Sequence, residues 1–225
     1  MADPKKIIIA LDYDHIDNAL ALADNLDPDL CRLKIGKELF TKYGPEIVVQ
    51  LQKKGFEIFL DLKFHDIPTT VYKACISAFS LNVWMLNIHL SGGLNMSDAA
   101  MKAKLDCESS SKLIGVTVLT SLSDEDCHNI YGCSRENELL RLKDIAMKAD
   151  IDGFVCSPYD IHVLKDSTKI LVTPGIRLRD DKQDHHKAAT PKEASDLGSH
   201  YLVIGRSITG NPNPNGKLEE IINSL

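Results

Sequence analysis

The sequence predicts an α/β protein built as a single-domain (β/α)8 TIM barrel, and three observations predict it. Short β-rich apolar runs recur eight times along 225 residues. Amphipathic stretches of helical period separate them, and strands joined by helices pair in parallel. Polar and charged residues stand at the carboxyl ends of the runs, where a barrel gathers its chemistry. An open doubly wound sheet is the alternative use of the same elements.

The expected strands are Ile7–Asp12, Cys31–Ile35, Glu57–Lys63, Trp84–His89, Leu113–Leu119, Gly153–Ser157, Lys169–Thr173 and Tyr201–Gly205. Their near-continuous apolar character fits a sheet covered on its outer side. Helices are expected at Asn18–Leu26, Pro45–Lys54, Val71–Ala78, Ser97–Leu105 and Leu139–Ala149, among others. Pro45 and Pro191 sit where a first helical turn tolerates proline, and Gly55 and Gly198 fall where helices end. No Pro/Gly/Ser-rich linker or low-complexity tract divides the chain, so residues 1–225 are expected to form one domain.

Composition narrows the function. A hydrophobic content of 44% is enough for a substantial core. The apolar run Ile7–Leu11 is too short for a secretory signal, and no stretch approaches the length of a membrane span. A net charge of −6 argues against a general nucleic-acid surface, although an anionic small molecule is compatible with cations that converge locally. The six cysteines form no CxxC pair and read as reduced core residues of a cytoplasmic protein.

Residues 60–70, Leu-Asp-Leu-Lys-Phe-His-Asp-Ile-Pro-Thr-Thr, place two carboxylates and an ammonium at the end of an apolar run. In a regular strand Asp61 and Lys63 point to one face, their Cβ atoms roughly 6 to 7 Å apart. A solvated ion pair on an edge strand is the plainer account of those two residues. The other expected strand ends carry Asp12, Lys34, His89, Thr120, Ser157, Thr173 and Arg206. Two glycine turns, Thr-Pro-Gly-Ile-Arg ending at Arg177 and Ile-Gly-Arg ending at Arg206, follow the seventh and eighth runs. Loops there commonly hold a phosphate, with the Gly205 backbone approaching its oxygens and Arg206 binding them bidentately. No metal is expected: His185 and His186 lie in a polar segment without HxH or HExxH spacing. Neither a GxSxG elbow nor a P-loop occurs.

Ala10-Leu-Asp12, Leu33-Lys-Ile-Gly36, Asp61-Leu-Lys-Phe-His-Asp66-Ile-Pro-Thr-Thr70, Asn87-Ile-His, Val118-Leu-Thr-Ser, Val172-Thr-Pro-Gly-Ile-Arg177 and Ile204-Gly-Arg206 occur in that order. Together they closely resemble the orotidine 5′-phosphate decarboxylase family in its stand-alone bacterial form. The resemblance runs from about Ile7 to the last helix and implies a cofactor-free barrel that converts orotidine 5′-monophosphate to UMP and carbon dioxide. It implies Lys34, Asp61, Lys63 and Asp66 as the catalytic network, with Lys63 protonating C6 and Asp61 beside the departing carboxylate. It further implies Asp12 and Lys34 at the ribose hydroxyls, Thr120 at the pyrimidine, Arg206 with the Gly205 backbone at the phosphate, and Arg177 among the substrate-binding residues. Family members are homodimers, and Asp66 and Thr70 would reach the neighbouring subunit's site.

The charges also make sense without the resemblance, because an alternating row of Lys34, Asp61, Lys63 and Asp66 neutralises itself where a lone buried charge would be costly. One segment departs from the family pattern. Its loop glutamine is replaced, so that Asp184 is followed by His185 with Gln183 on the other side; His185 is therefore expected to donate to the phosphate. His89-Leu90-Ser91 also has leucine where a small residue is usual.

Three rivals remain at this level. Sugar-acid phosphate decarboxylases share DxKxxD but need magnesium, and the second strand ends in Lys34 rather than an acidic ligand. A Schiff-base aldolase needs a neutral lysine, which adjacent carboxylates disfavour. A catalytically silent nucleotide-binding module is the third.

Overall fold

The structure, a computed structural model, describes residues 5–178 and 189–225. Eight strands follow one another as a closed barrel: β1 (Ile7–Leu11), β2 (Cys31–Gly36), β3 (Ile58–Phe64), β4 (Met85–His89), β5 (Lys112–Val116), β6 (Gly153–Val155), β7 (Ile170–Ile176) and β8 (Tyr201–Ile204). All eight expected strands are present, and the fold class is the (β/α)8 barrel. Contacts group the chain into two compact units, Met1–Asp61 with Thr173–Leu225, and Leu62–Val172.

In the first unit β1 is the central strand, paired in parallel with β2 and β8. Every residue of β1 and β8 is buried, as their unbroken apolar sequences require. Strand β2 differs, since it buries two cations. Arg32 is 4% exposed and meets Glu57 at 2.8 Å beside the Tyr201 ring; Lys34 is 8% exposed. Both are tolerated because each has a carboxylate partner.

In the second unit β4, β5, β6 and β7 pair in order, all parallel. Here the unusual Leu90 acquires a physical account. It is fully buried, and a Cβ on Gly115 would lie 2.6 to 2.7 Å from its branched end. The glycine on β5 leaves the space that the leucine fills.

Strand ends depart from expectation by up to three residues, most at the fifth and seventh. The fifth strand stops at Val116 instead of Leu119; just past it, the Thr117 N–H and hydroxyl both donate to the Val155 carbonyl, at 3.2 and 2.9 Å. The seventh runs on through Pro174 and Gly175 to Ile176, so the expected turn is its distal part. Helix signals were legible where they were local. Pro191 opens the helix Pro191–Leu197 behind a Thr190–Glu193 capping box, and Gly198 closes it at φ +112°. No described helix is long and apolar enough to cross a membrane.

All six cysteines are free thiols; Cys107 alone is partly exposed. Burial pushes the Cys31 and Cys75 thiols up to about 12. At pH 8 both should resist a thiolate-directed reagent in the folded protein and react on unfolding, as peptide mass spectrometry would register. Prompt labelling of either in the native state would show that its pocket opens.

Candidate active site

The first unit contains a pocket of about 330 Å³ at the carboxyl ends of its strands. Asp12, Lys34, Asp61, Arg177, Gly205 and Arg206 are among the residues that line it, with Pro174 and Gly175. Six of the residues expected from sequence are thus brought together.

Lys34 occupies the middle of the charge pattern. Its Nζ lies 3.3 Å from Asp12 Oδ1 and 3.4 Å from Asp61 Oδ2. Parallel register explains the convergence: Ala10 faces Lys34 across β1 and β2, and Gly36 faces Asp61 across β2 and β3. Asp12 follows directly on β1. A side chain on Gly36 would stand 3.3 Å from the Lys34 ammonium, so glycine there leaves the cation its room. Lys34 and Asp61 are nearly buried whereas Asp12 is exposed. A ligand can therefore replace water around Asp12 while the inner pair stays shielded.

The 205–206 turn supplies the cationic part. Gly205 precedes the short helix Arg206–Thr209 and sits at φ −110°, ψ −109°. Its hypothetical Cβ would approach Ala10 and Asp12 at 3.7 and 3.9 Å, ordinary contact distances.

In the second unit Lys63 departs from the expected regular strand. Its φ is +52°, in the left-handed region, where the Cβ of an ordinary residue is crowded. The even alternation assumed for Asp61 and Lys63 therefore stops at residue 63. Asn87, fully buried on β4, accepts the Lys63 backbone N–H on Oδ1 at 2.8 Å. Sequence reasoning quoted Asn87 and gave it no role; its only signal was an amide inside an apolar strand.

Beyond Lys63, His65 through Thr70 are all exposed, and Ile67 is 64% exposed. Asp66 Oδ1 accepts the Ile67 N–H at 2.7 Å, just before Pro68 opens the helix Pro68–Phe79 on which Thr70 sits. Thr120 lies in an exposed turn after β5.

Two strand-end candidates have structural duties instead. The fully buried Thr173 hydroxyl pairs with Ser199 at 2.7 Å, and Ser157 caps the turn Pro158–Asp160. The His89 ring lies 5.3 Å from that of His65. Among the described residues no three His, Cys, Asp or Glu side chains group to hold a metal ion. His185 lies outside the described residues.

Fold and pocket define the class, a (β/α)8-barrel protein with paired charges at the strand ends, where enzymes of this fold work. The sequence profile of the orotidine 5′-phosphate decarboxylase / HUMPS family matches residues 5–221. The chain is 48% identical to the orotidine 5′-phosphate decarboxylase of Shewanella sediminis, across 98% of this chain and 97% of that protein. It is 49% identical to the protein of that name from Pseudomonas fluorescens, across 97% and 96%. The crystal structure of orotidine 5′-phosphate decarboxylase from Lactobacillus acidophilus matches with a TM-score of 0.85 at 32% identity, covering 98% of both chains. The chain belongs to the orotidine 5′-phosphate decarboxylase / HUMPS family.

Proposed function

We propose that the protein is an orotidine 5′-monophosphate decarboxylase of pyrimidine biosynthesis, producing UMP and carbon dioxide without a cofactor, as a single-domain cytoplasmic homodimer. The observation that carries this reading is the nearly buried Lys34 between Asp12 and Asp61, in a pocket they share with Arg177 and Arg206. Relatives bearing that name support it over nearly the whole chain.

In the proposed reaction the bond from C6 to the carboxylate breaks, its electron pair stays on C6, and carbon dioxide departs. The Lys63 ammonium then gives C6 a proton and later recovers one from solvent. Asp61 disfavours the substrate carboxylate, and Lys63 favours the negative charge that develops on C6. Stabilisation therefore grows toward the transition state, which is the requirement for catalysis. Asp12 and Lys34 take the ribose hydroxyls, Thr120 the base, and Arg177, Arg206 and the Gly205 backbone the phosphate. His185 is proposed as a further phosphate donor. The phosphate grip contributes binding energy remote from the reacting carbon.

Exposure of six consecutive residues, His65–Thr70, with an isoleucine among them, supports burial of this segment by a second copy. Asp66 and Thr70 are the residues proposed to reach the partner's site.

The deciding assay follows ultraviolet absorbance after purified protein meets orotidine 5′-monophosphate in a metal chelator. Rapid loss of substrate absorbance is expected. Absence of loss by folded protein, with turnover of a sugar-acid phosphate once magnesium is added, would move the chain to the other branch of its family.

The Asn87–Lys63 contact yields a further expectation. Asn87→Ala removes the acceptor that holds Lys63 in a strained conformation, and should lower kcat about tenfold to a hundredfold. The UMP dissociation constant should stay within about threefold, because the pocket around Lys34 and Arg206 is untouched. Equal losses in both quantities would show a general disturbance.

A further inference from the structure

Thr120 stands between two carbonyls that a single nitrogen holds. Arg135 Nη1 donates to the Leu119 and Leu122 oxygens at 3.2 and 3.0 Å. Nε and Nη2 of the same guanidinium meet Asp160 Oδ1 and Oδ2 at 3.2 and 2.7 Å. The Arg135 backbone N–H donates to Asp124 Oδ1 at 2.8 Å, securing the far end of the turn. Most of the guanidinium's donors are thereby engaged, in the planar fork that only arginine offers.

Asp160 is the anchor. It is 5% exposed and ends the turn Pro158–Asp160, where its N–H donates to the Ser157 carbonyl at 3.0 Å. A carboxylate buried so deeply requires a partner, and the bidentate geometry fixes the guanidinium in one orientation. The remaining donors then fix the 119–122 backbone.

What this backbone presents is a hydroxyl. Thr117, three residues earlier, has its hydroxyl committed to the Val155 carbonyl. Thr120 is exposed, and its hydroxyl has no hydrogen-bond partner among the described residues. A turn braced at two carbonyls would ordinarily be a stability device. Here the brace encloses the one residue of the turn to which the proposed function gives a ligand.

We propose that Arg135 is a positioning residue for base recognition: clamped by Asp160, it holds the 119–122 turn so that Thr120 meets the pyrimidine in a preformed geometry. This rests on the proposed assignment of Thr120 to the nucleotide base. Arg135 touches no substrate itself. Its contribution is that the turn need not be ordered when the nucleotide arrives.

The test compares UMP with ribose 5-phosphate, which lacks the base, by calorimetric titration of wild type, Thr120→Val, Arg135→Met, Arg135→Lys and the Thr120→Val/Arg135→Met double variant. Thr120→Val and Arg135→Met should each weaken UMP binding about tenfold, with ribose 5-phosphate within about twofold of wild type throughout. In the Thr120→Val background Arg135→Met should have almost no further effect, since the two act through one contact. Arg135→Lys keeps a charge beside Asp160 but not the fork; it guards against misfolding and should show the same selective loss.

Thr120→Val weakening UMP while both Arg135 variants bind it normally, or additively with Thr120→Val, would overturn the inference and leave the Thr120 assignment standing. An equal loss for ribose 5-phosphate in the Arg135 variants would reduce the brace to general stability. Normal UMP binding by Thr120→Val would remove the assignment itself, and this inference with it.

Discussion

Lys63→Ala is expected to lower kcat for orotidine 5′-monophosphate by about 10⁴-fold or more while UMP still binds. The size follows from the two tasks proposed for one ammonium. It balances the charge that grows on C6, and it supplies the proton that ends the reaction. A general acid alone contributes about 10² to 10⁴-fold, and a preorganised charge beside the developing anion adds to it. Binding should survive, because Asp12, Lys34, Arg177 and Arg206 line a pocket that lies wholly within the first unit. Single-turnover absorbance measurements with the variant, alongside UMP titration, check both halves. Turnover within tenfold of wild type would remove Lys63 from the chemistry and with it the proposed mechanism.

Mixing two inactive variants should restore activity. If Asp66 serves the neighbouring subunit's site, Asp66→Ala and Lys63→Ala each disable every site of their own homodimer. In a mixed dimer one site receives the Lys63 of the Asp66→Ala chain and the Asp66 of the Lys63→Ala chain, and is complete. Random exchange makes about half the dimers mixed, each with one working site of two, so about a quarter of wild-type activity should return. The rise from near zero is large, and it depends on the exposed 65–70 segment reaching a second copy. Activity no greater than the sum of the two variants, after exchange is verified by mass spectrometry, would place Asp66 in its own subunit's site.

Legibility in the sequence followed the range of the forces involved. The strands were readable because runs such as Ile7–Leu11 and Tyr201–Ile204 are buried throughout and contain little but apolar residues. Lys34 and Asp61 were readable because a charge at the end of such a run is expensive without a reason. Arg135 was not. The string Ser-Arg-Glu-Asn reads as the solvated first turn of a helix, and its partner Asp160 lies 25 residues away beside another strand. The end of β5 was no more legible, since Thr117 just past it bonds to a carbonyl 38 residues on. Nor does any local pattern announce that Lys63 leaves the strand conformation, which depends on an amide supplied by β4.

The left-handed backbone at residue 63 sets activity and durability against each other. An ordinary residue held there costs on the order of 1 kcal/mol, which glycine would not incur. Selection for thermal endurance alone would therefore move position 63 away from lysine. Asn87 differs, because the N–H it accepts belongs to the backbone of residue 63 and persists whatever side chain stands there. A substitution at position 63 that raises the melting temperature while silencing the enzyme would be the signature of a fold that retains a weak point for the sake of its chemistry.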